Sequence, residues 1–278
     1  MKKIIFFLIV VFFSQNTILF GQNFKGKDLN INIEQPLKEL SIGETLQYSV
    51  EWLGLPVGKI VLKVEDLKEA GGRQYYHISA RTFPNRFFIK FYDVEYRWNT
   101  YVRRENLEPY RFVKIRRINN NILEVIVDFD QKNHRATYRH FAPHGKAEVI
   151  AFPSMRKEIV NSCKTIVPLP EDTHDLVSSL YYFRLMDIRE NKDYSINVFY
   201  GQAGWNTDLK ISKPYLKDFY KKGSFKIFEV SPRSDLTNLI LGRRELTLYF
   251  TTDSRRIPIM ITFNTAIGQF RAVAENLP

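Results

Sequence analysis

Cysteine is almost absent from this chain. Its 278 residues hold one, Cys163, so neither an intrachain disulfide nor a thiolate zinc site can form. A chain of this length can instead hold itself together through its core. Histidine is scarce as well, and only His140 and His144 stand four apart. Pro143 and Gly145 make that stretch a turn, not a helix that would align them. There is no His-Glu-x-x-His pattern, no Gly-x-Ser-x-Gly elbow and no glycine-rich phosphate loop. Gly201-Gln202-Ala203-Gly204 leads from one strand-like run into another and offers no helix N-terminus to a phosphate. Cys163 lacks an identifiable base and reads as a quiet, partly buried thiol. The expectation is a non-enzyme with no metal and no cofactor.

Long apolar runs are missing after the first twenty residues, so no transmembrane span is expected in the mature protein. The N-terminus differs. Lys2 and Lys3 precede an unbroken apolar run from Ile4 to Phe13, and Gly21 is a plausible last residue before a cut. That is the layout of a secretory signal peptide, and the run is shorter than the ~20 residues a membrane helix needs. Residues 1–21 are therefore read as a signal peptide cleaved near Gly21. The mature protein is expected in the periplasm or secreted.

Aromatic residues are abundant, with 22 Phe, 15 Tyr and 3 Trp. Flat, large side chains suit a pleated, half-buried surface. Net charge is +11 over the full chain. The leader takes two of the 41 basic residues and none of the 30 acidic ones, leaving 39 against 30, or +9. That balance favours anionic surfaces or ligands, and an exported protein does not meet nucleic acid.

Residues 22–41 are polar and read as a flexible N-terminal arm. From residue 42 the period is two. Leu46, Tyr48, Val50 and Trp52 share one face, and Gly54-Leu55-Pro56-Val57-Gly58 reads as the following turn. Tyr92, Val94, Tyr96, Trp98 and Val102 share one side of a long strand; Tyr110 to Arg117 alternates less cleanly. Residues 143–171, with four prolines, read as a long connection. One main helix is expected around residues 173–189, capped by Asp172 or Thr173. Strands then return to the C-terminus, and Pro258 marks an edge or a strand start. The predicted fold is mainly β: one domain over 42–278, built as a large, strongly curved antiparallel sheet, an open or half barrel, with that single helix.

Several segments, in order, carry a resemblance. They are Gly43-Glu44-Thr45-Leu46 with Tyr48, the 54–58 turn, Leu107-Glu108-Pro109, Asp175-Leu176-Val177-Ser178-Ser179-Leu180-Tyr181-Tyr182-Phe183-Arg184, and Phe250 to Ile259 followed by Ile267-Gly268. The chain resembles a family of bacterial exported proteins of unknown function with a curved β-sheet domain. The resemblance implies export and a curved sheet, and brings no reaction and no catalytic residue. A looser similarity in shape is to periplasmic lipoprotein carriers.

Aromatics on the strand faces, Tyr48, Trp52, Tyr92, Tyr96 and Trp98, are candidates to line a concave apolar groove, against the plainer reading as core. Arg255 and Arg256 could grip an anion, although Asp253-Ser254-Arg255-Arg256 also reads as a hairpin turn. The leading expectation is a binding or carrier module for a lipid or other amphipathic ligand. The alternatives are a structural or interaction protein of the cell envelope with a self-filled sheet and, last, a hydrolase of envelope polymers.

Overall fold

The computed structural model describes residues 32–85, 94–118, 121–141, 162–189, 193–219, 223–234, 245–265 and 268–275. The first half of the chain forms β1 (Thr45–Trp52), β2 (Leu55–Ala70), β3 (Arg73–Pro84), β4 (Val94–Arg103), β5 (Pro109–Ile118), β6 (Asn121–Asp130), β7 (Arg135–Phe141) and β8 (Ser162–Pro168). A two-residue strand β9 (Thr173–His174) and helix α1 (Leu176–Leu185) come next. The second half supplies β10 (Tyr194–Tyr200), β11 (Ala203–Ile211), β12 (Tyr215–Phe219), β13 (Gly223–Arg233), β14 (Leu246–Thr251), β15 (Pro258–Thr265) and β16 (Gly268–Ala274).

All of these strands belong to one sheet. Its order runs β8-β7-β6-β5-β4-β3-β2-β1-β16-β15-β14-β13-β11-β10-β9, with β12 paired to β13. β1 pairs with β16, so the two halves of the chain meet in the middle of the sheet and run out to opposite edges. Every pairing is antiparallel except β9–β10.

The sheet curls until its edges approach. Phe129 of β6 meets Phe199 of β10 edge-on at 5.5 Å, and Gln131 donates to the Thr173 carbonyl at 2.7 Å. β8 touches β11, yet no ladder joins them among the described residues, so the curl is not a closed barrel. Gly204 belongs to this seam: a Cβ there would come within 2.4 Å of Pro170 Cδ. Gly201 and Gln202, both at positive φ, form the two-residue turn between β10 and β11.

Alternation puts Leu46, Tyr48, Leu62, Ile78, Val102 and Val127 on the concave side, where they pack with Val177 and Tyr181 of α1. A second cluster joins Phe183 of α1 to Phe228 and Phe250. The helix therefore lies inside the curl. Asp175 caps it, accepting from the backbones of Val177 and Ser178, while Ser178 answers the Asp175 N–H to complete a capping box. The same carboxylate accepts from Thr100 of β4 at 2.5 Å, tying the helix start to the sheet. The helix begins two or three residues later than Thr173 or Asp172 would place it, because Thr173 and His174 are paired with β10.

Arg184 fixes the other end. Its guanidinium makes a two-pronged bond to Glu44, 2.6 and 2.8 Å, and Nε donates to the Arg255 carbonyl at 3.1 Å. Both side chains are buried. Arg184 also lies 5.2 Å from the Tyr181 ring centre.

Three local features differ from the sequence expectation. The first hairpin turn is Leu53-Gly54, and β2 already runs through Pro56. Pro56 is tolerated there because it sits at a register shift and lies beyond the last β3 partner, Gly58↔Pro84. Within the long connection, β8 pairs with β7. Residues 34 and 37, within the expected arm, donate to the carbonyls of Thr252 and Ser254. Pro258 opens β15.

The convex face of β5 to β7 carries its own apolar cluster of Val113, Ile115 and Ile126. Glu124 sits in it, opposite Ile115 and Phe141, 1 % exposed and with neither carboxylate oxygen hydrogen-bonded. Burial pushes its pKa up to about 7.

Two outcomes are expected. Glu44→Gln strands a buried guanidinium and should cost about 3–5 kcal/mol in urea unfolding, whereas the joint replacement Glu44→Leu with Arg184→Met should cost less. A loss below about 1 kcal/mol for Glu44→Gln would deny the pair this role. For Glu124, the folded pKa lies above the unfolded one. Its contribution is complete below the unfolded value and is lost as pH rises through about 7. Glu124→Gln should therefore gain on the parent by roughly 2–3 kcal/mol between pH 5 and pH 8. Parallel stability curves for the two proteins would contradict this.

Candidate functional site

The helix fills only part of the concave side. Toward the C-terminal half of the sheet it leaves a groove of about 300 Å³. Leu176, Leu180 and Phe183 of α1 form one wall. The other is built from every second residue of the facing strands: Ile196 and Val198 of β10, Leu209 of β11, Val230 of β13, Leu246, Leu248 and Phe250 of β14, and Ile261 and Phe263 of β15. The polar lining residues are Ser179, Thr207 and Ser234. Leu176, at the helix start, is 42 % exposed. The walls are apolar because a strand with one buried face presents its i, i+2, i+4 residues inward, and here part of that inward row meets no helix.

On the other side of Leu176 lies a smaller cavity of about 150 Å³. Trp98, Phe112, Val125, Val127 and Tyr138 line it from the N-terminal half, and Phe199 and Tyr200 from β10. Lys114 of β5 reaches into it, its ammonium 5.8 Å from the Tyr96 ring centre and 5.9 Å from that of Tyr200. Burial, helped by the nearby charge of Arg116, lowers the Lys114 pKa.

A wider cleft of about 760 Å³ opens at the far end of the helix between residues 35–38 and 104–107. Connecting segments supply most of its wall, joined by Tyr182 and Leu185 of α1 and Tyr194 of β10, and its Arg104 is already held by Glu39 at 2.8 Å. It offers no continuous apolar face.

The residues singled out from the sequence fall in different places. Tyr48 is buried beneath the helix, and its hydroxyl donates to the Pro258 carbonyl at 2.7 Å. Burial holds its pKa well above the usual phenol value. Trp52 stacks on Phe270 near the end of β1, with ring centres 6.1 Å apart. Tyr96 and Trp98 stack at 5.3 Å, and Trp98 lines the smaller cavity. Tyr92 lies outside the described residues. Arg255 and Arg256 do not form one clamp. Arg255 pairs with Asp253 at 3.1 Å. Arg256 is buried, at positive φ, and donates to the carbonyls of Met186 and of Glu34.

Sequence reasoning passed over the groove itself. Leu180, Phe183, Leu248 and Phe263 look like any core position, and only the three-dimensional gap between helix and strands distinguishes them. Lys114 had a visible signal: a lysine in phase with Phe112 on the buried side of β5.

His174 is buried, stacks on Tyr182 at 4.1 Å, and has its pKa lowered by burial to about 4. It is a neutral core residue at neutral pH. Among the described residues no three His, Cys, Asp or Glu side chains converge as metal ligands, and no helix is long and apolar enough to cross a membrane.

Among solved structures, a β-barrel-like protein of the domain of unknown function DUF1849 from Brucella abortus is similar, with a TM-score of 0.53 at 8 % identity. The match covers 86 % of this chain and 98 % of that one, and it shows a shared fold. A protein with a YmcC-like fold from Bacteroides fragilis aligns over 89 % of this chain and 100 % of its own, at 7 % identity and a TM-score of 0.29. No curated protein matches in sequence. The family model described as protein of unknown function (DUF3108) matches residues 47–275, and the chain belongs to that family.

Proposed function

We propose that the protein is an exported, non-catalytic binding or carrier module whose groove, between α1 and strands β10 to β15, takes the chain of an apolar or amphipathic ligand. The observation that carries this reading is the lining: thirteen of its sixteen residues are apolar, and Leu176 at the rim is exposed to water. Apolar surface left in contact with water is unfavourable, and a concave apolar wall is the usual seat of a ligand. Export rests on Lys2, Lys3 and the apolar run Ile4–Phe13.

A second reading, an envelope protein whose sheet is filled by its own side chains, draws on the N-terminal half. There Tyr48, Tyr76 and their neighbours pack against Tyr181 of the helix.

Native mass spectrometry of protein purified from the envelope is expected to show a bound amphiphile, and a fluorescent fatty acid should titrate into the emptied protein. Leu248→Arg, which puts a charge on the groove floor, should weaken that uptake at least about tenfold. A protein that is repeatedly empty and takes up no fatty acid would remove the reading in favour of the self-filled sheet. N-terminal sequencing of the exported form should begin near Gln22, and a leader retained on the mature protein would contradict export by cleavage.

A further inference from the structure

Two cations on the concave side of β5 have no carboxylate partner among the described residues. Lys114 pairs across the sheet with Trp98 and Val125, and Arg116 with Tyr96 and Leu123. These neighbours belong to the concave side, so β5 turns two of its four cations, Lys114 and Arg116, inward, while its apolar Val113 and Ile115 face outward, unlike an ordinary half-buried strand.

On the convex side of the same strands the cations are paired. Arg97 and Arg117 share Glu95, and Arg111 and Arg139 share Asp128. Lys114 and Arg116 have no such partner among the described residues. The Lys114 ammonium meets two aromatic rings, and the buried Arg116 Nε has no hydrogen-bond partner among the described residues. An ammonium at the wall of a largely apolar cavity, with a guanidinium two residues along the same strand face, suits a compact anion such as a carboxylate or a phosphate.

The geometry links this pair of charges to the groove. Leu176 is a wall of both the 300 Å³ groove and the 150 Å³ cavity into which Lys114 projects, so one side chain stands between apolar slot and cation. We propose that the ligand is an anionic amphiphile with a single acyl chain, its tail lying along the groove and its carboxylate or phosphate head held by Lys114 and Arg116. The groove is at the small end of ligand sites, which span about 300 to 1,000 Å³, and that favours one chain over two. This inference rests on the binding reading above and adds the chemistry of the head.

The test compares three probes of equal chain length: myristate, the monoalkyl phosphate and the neutral alcohol. Each displaces the same fluorescent reporter from the parent protein, from Lys114→Met and from Lys114→Met with Arg116→Gln. Both anions are expected to bind the parent about tenfold more tightly than the alcohol, with a preference that shrinks as salt is raised. The substitutions should abolish that preference and leave the affinity for the alcohol unchanged, which also shows that the variants fold. The ratio of phosphate to carboxylate affinity tells whether a phospholipid-type or a fatty-acid-type head is favoured. Equal affinity for alcohol and anions, or a preference that survives the double substitution, overturns the head-group assignment while the groove stands. If none of the three binds, both readings fall.

Discussion

The buried pair between Glu44 and Arg184 sets the position of everything inside the curl. Glu44 stands just before the first strand, and Arg184 lies 140 residues later in the last turn of the helix. Each charge is removed from water, a loss offset only by near-ideal geometry. The fork of two bonds and the third to the Arg255 carbonyl supply that geometry. The Arg255 carbonyl comes from the loop between β14 and β15, so the pair gathers the start of the sheet, the helix and the C-terminal half at one point. At the helix start, Asp175 performs the matching task through Thr100.

With both ends held, the helix cannot settle centrally. It packs closely on the N-terminal strands, where Tyr48 and Tyr181 are buried, and its Phe183 side touches Phe228 and Phe250. The groove is the space left between these contacts. A sheet of so many strands twists and curls of itself, and the seam around Pro170 and Gly204 brings β5 and β10 to opposite walls of one cavity. That seam is what places Lys114 near Tyr200, on a strand at the other side of the sheet.

Much of this was legible from residue order. β1, β4, β6, β10 and β15 each carry apolar residues at every second position, so period-two alternation marks them, and the curved antiparallel sheet with one helix follows from their number. Where alternation blurs, the cause is physical. Both faces of β5 mix cations with apolar residues, Arg111, Val113, Ile115 and Arg117 outward and Phe112, Lys114 and Arg116 inward, so neither row stands out. β8 contributes Val167 to the core from within a proline-rich stretch and resembles a loop. The helix start was displaced because Thr173 and His174, good flanking residues for a helix, are held by β10 instead. Two of the candidate aromatics, Tyr48 and Trp98, are separated by packing: Tyr48 is sealed by the helix, while Trp98 remains at a cavity wall. A groove is a property of what fails to meet, and residue order does not record it. The segments that carried the family resemblance do have a spatial meaning, because Glu44, Arg184 and the Arg255 carbonyl come from three of them.

The helix, clamped by Glu44 and Arg184, leaves an apolar slot, and the proposed role is that this slot receives a ligand chain. The most direct measurement is photolabelling of the full chain with a fatty acid carrying a diazirine near its tail, followed by peptide mapping. Adducts are expected on the peptides that contain Leu180 and Phe183 of the helix and Leu248, Ile261 or Phe263 of the facing strands. Adducts confined to the convex cluster around Val113 and Ile126, or spread without preference, would contradict it.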